Sequence, residues 1–364
     1  MTINFFLDTF AGLPVVQWDE EVDPADPAAV AWRIDMEYDT PQRKLLAAFE
    51  HVLRRCGAAG PTALIFGSWG EPFEDPFPFD LLIRNTARLS GLRALFVGEM
   101  GSEQCEISWI VQDDYAPVLQ AFPALERLWI RGAQKLALTP LRHESLRELV
   151  IQSGGLPTSV IQQILACDLP QLEHLELWLG VDNYGGDATV EDLAPLLSGR
   201  LFPTLTRLGL CNAEIVEQLA TAVAAAPIVA RLKALDLSYG VFGDAGAEAL
   251  LAGQPLTHLD ELRITTTSCP PRWRTGWSTS CRVSPSTSPT GRTSRGGAGT
   301  PSRRNDAARR RRQPGEPPGH PVHRRGPAVR AARARGLPVA RRADRGPGPR
   351  AGHGGARRLA RRER

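Results

Sequence analysis

His143, Glu144 and Ser145 stand side by side in "LRHESL". Imidazole, carboxylate and hydroxyl are the groups that nucleophilic hydrolysis uses, so this stretch invites a catalytic reading. The sequence offers no assembled third partner around them, and Ser145 immediately precedes Leu146, which the pattern described below turns inward. A structural or turn role for His143 is therefore the expectation. The other histidines of the first 264 residues are His51, His174 and His258. Cys56, Cys105, Cys167 and Cys211 fall in no CxxC and in no Cys/His spacing that would hold zinc. They are expected as free thiols serving as small apolar residues, which suits a reducing cytosol. Asp182 and Asp187 in "VDNYGGD" supply too few oxygens, at too wide a spacing, for calcium. GxSxG, HExxH, the phosphate loop and GxGxxG are all missing. No enzyme, metal or cofactor is predicted.

The remaining chemistry is that of contact, and its bearers are set by a repeat. LxxLxL recurs at Leu92/Leu95/Val97, Leu125/Leu128/Ile130, Leu146/Leu149/Ile151 and Leu172/Leu175/Leu177. It continues at Leu205/Leu208/Leu210, Leu232/Leu235/Leu237 and Leu259/Leu262/Ile264, with a weaker copy at Leu64 and Phe66. First leucines lie 21 to 33 residues apart. Each copy ends in period-two alternation, the signature of a strand with one inward face. Helical segments lie between: "TVEDLAPLLSG" with Thr189 as N-cap, "AEIVEQLATAVAAAP" ending at Pro227, and "GDAGAEALLAG" with Asp244 as cap and Gly253 as stop. Such units have an apolar edge that they cannot bury alone, so they stack.

These units resemble leucine-rich repeats. "LKALDLSYGVFGDAGAEALLAG" is similar to the ribonuclease-inhibitor type, although Gly240 and, one unit earlier, Ala213 replace the repeat's asparagine. "CEISWI", "HESLRELVIQSGGLP" and "LWLGVDNYGGDATVEDLAPLLSG" resemble, more specifically, a bacterial leucine-rich-repeat family. Members of that family sit in gene clusters with radical-SAM-like enzymes. The resemblance covers residues 1–264. It implies an α/β solenoid with a curved parallel sheet and helices on the convex side, and no established activity. Residues 1–60 read as an N-terminal cap, with "AVAWRIDMEY" as strand and a helix from Pro41; residues 61–267 read as the solenoid.

In LxxLxL the residues between and just after the leucines face the concave side. The row between the last two apolar positions reads Ile65, Phe96, Trp129, Val150, Glu176, Gly209, Asp236, Arg263. Adjacent columns add Arg127, Arg131, His174, Trp178, Arg207 and Tyr239. Exposed aromatics beside arginines make a protein-binding hot spot. The predicted partner site is therefore Phe96, Arg127, Trp129, Arg131, Val150, His174, Glu176, Trp178, Arg207, Asp236 and Tyr239, with Trp129 and Trp178 substantially exposed. The acidic, aromatic loop 70–80 is either a gate at one end of this face or a solvated connection.

Charge divides the chain. Residues 1–264 carry 18 Lys and Arg against 36 Asp and Glu; residues 265–364 carry 25 Arg against 4 acids. An acidic body argues against nucleic-acid binding, and only the tail argues for it. The tail from 265 has no Ile, Lys, Phe, Tyr or Met. It reads as GC-rich DNA translated out of frame. Cys269, Trp273, Trp277 and Cys281 have codons beginning TG, so one lost nucleotide near codon 264 restores Leu, Met or Val at each, four apart on a helix face. Residues 268–364 are thus expected to be disordered, leaving the strand that ends at Ile264 as an open edge.

The N-terminus has Asp8 within its apolar stretch and no basic lead, and no run of about 18 apolar residues exists. A cytoplasmic, non-membrane scaffold that binds a protein or peptide on its concave face is the leading expectation. Alternatives are an accessory or inhibitory subunit that covers an enzyme's active site, a nucleic-acid binder through the tail, and a hydrolase around His143 or His174.

Overall fold

The computed structural model describes residues 4–266 and 281–285. One leucine from each repeat sets the architecture. Leu64, Leu95, Leu128, Leu149, Leu175, Leu208, Leu235 and Leu262 pair in register across eight consecutive parallel strands. None is more than 5% exposed. The strands are β4 (Ala63–Phe66), β5 (Ala94–Val97), β6 (Arg127–Arg131), β7 (Glu148–Gln152), β8 (His174–Gly180), β9 (Arg207–Ala213), β10 (Ala234–Asp236) and β11 (Glu261–Thr266). Strand order in the sheet follows chain order throughout. Each strand must therefore return by a crossover on one side, and that side holds the main core.

The sheet starts before the repeats. β3 (Ala31–Ile34) pairs in parallel with β4, and α1 (Gln42–Arg55) follows it as the sequence predicts. Leu45, Ala48, Phe49, Val52 and Leu53 form the buried stripe of α1, at spacings of three and four. Two shorter strands precede these. β1 (Thr9–Phe10) and β2 (Leu13–Gln17) form an antiparallel hairpin turned by Ala11 and Gly12, both at positive φ. β2 then joins β3 in parallel.

Crossover helices are short: α2 (Asp80–Ile83), α3 (Ala116–Ala121), α4 (Thr158–Leu165), α5 (Val190–Leu197), α6 (Val216–Val223) and α7 (Asp244–Ala252). Thr189 and Asp192 form the reciprocal capping box that starts α5. For α7 the expected cap is corrected. Asp244 is its first helical residue, and the Gly243 and Gly246 N–H groups donate instead to the Glu217 carboxylate of α6. A neighbouring repeat's longer side chain reaches the positive end of the helix.

The expectation of an open edge at β11 is also corrected. β12 (Cys281–Pro285) lies along it in parallel, from Leu262 opposite Cys281 to Thr266 opposite Pro285. Edge N–H and C=O groups template a neighbour through the backbone, with little regard for side chains. The rest of the expected tail 268–364, with Trp273 and Trp277, lies outside the described residues. Among the described residues no helix is long and apolar enough to cross a membrane.

Candidate interaction face

The face opposite the helices carries two columns of side chains. The first runs Ala31, Ala63, Ala94, Arg127, Glu148, His174, Arg207, Ala234, Glu261. The second is the row read from the sequence, Ile65 to Arg263, and it pairs in register without a break. The first column turns from alanine to charge at β6, and the second from apolar to charged at β8.

Before β6 the face is apolar and already occupied. Phe10, with Leu7, Ala11, Leu13 and Val15 from the N-terminal arm, packs on Ala31, Ala63, Ile65, Ala94, Phe96 and Trp129. Phe10 meets the Phe96 ring at 6.1 Å and the Trp129 ring at 5.6 Å between centroids. Polar contacts pin the arm. The Leu7 N–H donates to Glu99 Oε1 (2.6 Å), and Arg33 donates to the Leu7 carbonyl (2.8 Å) while pairing with Glu99 (2.6 Å). Phe96 is therefore a buried contact of the chain's own arm rather than a free anchor.

Arg131 and Trp178 are likewise corrected. Arg131 is 1% exposed: it donates to the Met100 carbonyl (2.6 Å) and Gln152 (2.9 Å), with the rings of Phe5 and Phe96 over its guanidinium. Burial brings its pKa down to about 10. Trp178 is 2% exposed, closed in by Ile107, Cys211 and the Tyr239 ring at 4.9 Å. Its indole N–H donates to Glu176 (2.7 Å). Val150 is buried as well. Trp129 is half-buried, and Tyr239 is exposed, holding a left-handed backbone (φ 68°) that turns its ring onto Trp178.

From β6 onward the face is a ladder of opposite charges. Arg127 pairs with Glu148 (3.1 Å), which also accepts the Trp129 indole N–H (2.8 Å). His174 lies between Glu148 (3.4 Å) and Glu176 (3.7 Å). Arg207 pairs with Glu261 (3.2 Å), and Arg263 bridges Glu261 (2.6 Å) and Asp236 (3.6 Å). Burial pushes the His174 pKa down, but bonds to and charges on the two glutamates outweigh it and raise it to about 9. Burial also pushes Glu148 up, yet His174, Trp129 and Arg127 hold its carboxyl below the usual range. At Asp236 burial, with the charge of Glu176, outweighs the Ser238 hydrogen bonds and the Arg263 charge and raises the carboxyl.

Gly209 opens a slot in this ladder. A Cβ there would come within 2.7 Å of Glu176 Cγ. The slot, of about 40 Å³, is lined by His174, Glu176, Arg207, Asp236, Glu261 and Arg263 among others. It unites a histidine with carboxylates, as the hydrolase reading asks, but none of its lining residues is Ser, Thr or Cys. His174 is a cation at neutral pH and so holds no base lone pair there. Among the described residues no group of three or more His, Cys, Asp or Glu is placed to hold a metal ion.

His143 is a buried turn residue: Nε2 meets the Phe122 carbonyl (3.1 Å), and Nδ1 accepts the N–H groups of Ser145 and Leu146. Asp187 accepts the Thr158 N–H at the start of α4 (2.6 Å). In the loop 70–80, Phe77 and Phe79 pack in the main core while Phe73 is exposed. Glu148 and Glu261, absent from the predicted site, prove to be its main anions. Their position immediately before the inward leucine is the signal that finds them.

A protein of Bacteroides fragilis, solved as a structural-genomics target, is 30% identical to this chain. The match has a TM-score of 0.61 and covers 69% of this chain and 73% of the Bacteroides chain. The chain belongs to the family of that Bacteroides protein. A mostly parallel, sequentially ordered, solenoid-like α/β fold is thus shared with a solved relative. The crystal structure of the TLR13–ssRNA13 complex also matches, at 14% identity and a TM-score of 0.29, over 71% of this chain and 36% of that one. A likeness that weak carries no argument. No family model and no curated protein matches the sequence.

Proposed function

We propose that this chain is a leucine-rich-repeat interaction module that binds a protein or peptide partner without chemistry, on the charged half of its concave face. The observation that carries the reading is the ladder across β6 to β11. Arg127, His174, Arg207 and Arg263 face Glu148, Glu176, Asp236 and Glu261 with their side chains partly open to solvent. Paired charges at a surface add little stability but select partners by complementarity. The slot at Gly209 is far below the few hundred Å³ that small-molecule sites need. It suits one inserted side chain of a partner. The chain's own arm supports the reading too, for residues 5–13 already lie on the other half of this face as a bound peptide would.

Four cations against four carboxylates leave the ladder with no field that would favour nucleic acid. The free thiols Cys56, Cys105, Cys167 and Cys211 support a reducing, cytoplasmic setting. Capture from an extract of the native host tests the proposal. The double variant Arg207→Glu/Arg263→Glu should lose the partner that the unaltered chain retains, while Arg84→Glu, outside the face, should keep it. Equal capture by all three proteins would refute a concave site.

A further inference from the structure

A second candidate site lies beyond the C-terminal ends of β3, β4 and β5, away from the ladder. There the structure has a cavity of about 740 Å³. This lies within the roughly 300–1,000 Å³ typical of ligand sites. Three aromatic rings line it: Tyr38, Phe73 and Trp109. Tyr38 is 64% exposed and Trp109 58%, and Phe73 is exposed as well. Tyr38 and Phe73 are stacked, with centroids 5.9 Å apart and planes 18° from parallel. Single exposed rings are common on proteins, but three converging on one cavity are not. The rings are held up by local structure. Trp109 ends the 3-10 turn Ile107–Trp109, whose Ile107 is buried, so the turn fixes the indole outward.

The polar part of the lining selects the occupant. Asp35, Glu37, Glu103 and Glu106 contribute carboxylates, and no lining residue is Lys or Arg. Asp35 is fixed by the Ser68 N–H (2.7 Å) and the Gln104 amide (2.8 Å). Arg33 is the cation whose charge acts on Asp35, but it is already paired with the fully buried Glu99. Ring faces carry negative potential and attract cations, and a flat guanidinium both stacks on rings and forks onto carboxylates. We propose that this cavity binds an arginine side chain presented by a partner peptide, stacked against Tyr38, Phe73 and Trp109 and paired with the surrounding carboxylates. Beside one guanidinium, the volume leaves room for the residues flanking it.

Calorimetric titration with acetyl-Gly-Arg-Gly-amide, and with the same peptide carrying citrulline, tests this. Citrulline keeps the shape and loses the charge. The arginine peptide should bind at least about tenfold more tightly than the citrulline peptide, and binding should fall with added salt. Trp109→Ala and Tyr38→Ala should each weaken it by about tenfold without moving the melting temperature, because both rings are largely in solvent. Glu176→Gln/Glu261→Gln on the ladder should leave it unchanged. Equal affinity for the two peptides, no saturation by about 10 mM, or indifference to both ring variants overturns the proposal. Tighter binding of a third peptide, with lysine in place of arginine, overturns the guanidinium assignment, and loss of binding in the ladder variant overturns the cavity by placing the peptide on the face of the ladder instead.

Discussion

His174 should make the stability of this protein fall in mildly alkaline solution. Its pKa is raised from the usual 6.5 to about 9 by Glu148 and Glu176, against the effect of burial. The folded chain therefore holds this proton more tightly than the unfolded chain does. The bridge contributes fully below pH 6.5 and is lost as the pH rises through 9. A rise of that size corresponds to about 3 kcal/mol at low pH, about 2.5 kcal/mol at pH 7 and almost nothing by pH 10. Urea unfolding of the natural chain and of His174→Gln, followed by tryptophan fluorescence at several pH values between about 6 and 10, isolates the effect. Cys56 and Cys105 ionise only at about 11, and any group common to both proteins cancels in the difference. The gap between the two curves should close by about 2–3 kcal/mol across that window. Parallel curves would mean that His174 is neutral in the fold and that the ladder is not held by its charge.

Other expectations follow from burial. Leu149→Ala removes one member of the buried stack and should cost about 2–5 kcal/mol in denaturant unfolding. Trp178→Ala should cost about 3–5 kcal/mol, whereas Arg207→Ala, on an exposed rung, should change stability by less than about 0.5 kcal/mol; equal small effects would contradict the burial of Trp178. Glu217→Gln should cost about 1 kcal/mol through the N-terminus of α7, visible as faster hydrogen exchange at Gly246 and Ala247.

Much of the fold was legible because the inward leucines recur with a strand's alternation, and period alone fixes which side chains face the helices. The register of the row opposite the helices could be read for the same reason. Exposure along that row could not. Trp178 is closed by Ile107, which lies 71 positions earlier, and by a Tyr239 whose left-handed backbone no local pattern announces. Arg131 is buried under the long β5–β6 connection, whose Met100 carbonyl accepts a guanidinium N–H and whose Glu99 carboxylate offsets its charge. The arm was the larger omission, although a signal existed. "ALIF" and "ALFV" are apolar at every position, as strands covered on both faces are, while "RLWIR" and "HLELWLG" alternate. The two faces of β4 and β5 thus required a cover that the helices could not supply.

The Glu217 carboxylate finishes a helix in the repeat after its own, and it is one of several such links. Arg231 donates to the Gly199, Leu201, Phe202 and Leu205 carbonyls of the unit before it. Gln254 and His258 reach back to carbonyls of Val223, Ala226 and Val229. Repeats joined only by stacked leucines could peel away singly. Here each unit's backbone is completed by atoms of the next, so removing one unit strands polar groups in its neighbour. Residues 199–258 should consequently melt together as one cooperative block, with nearly uniform amide protection across its strands, rather than fraying repeat by repeat.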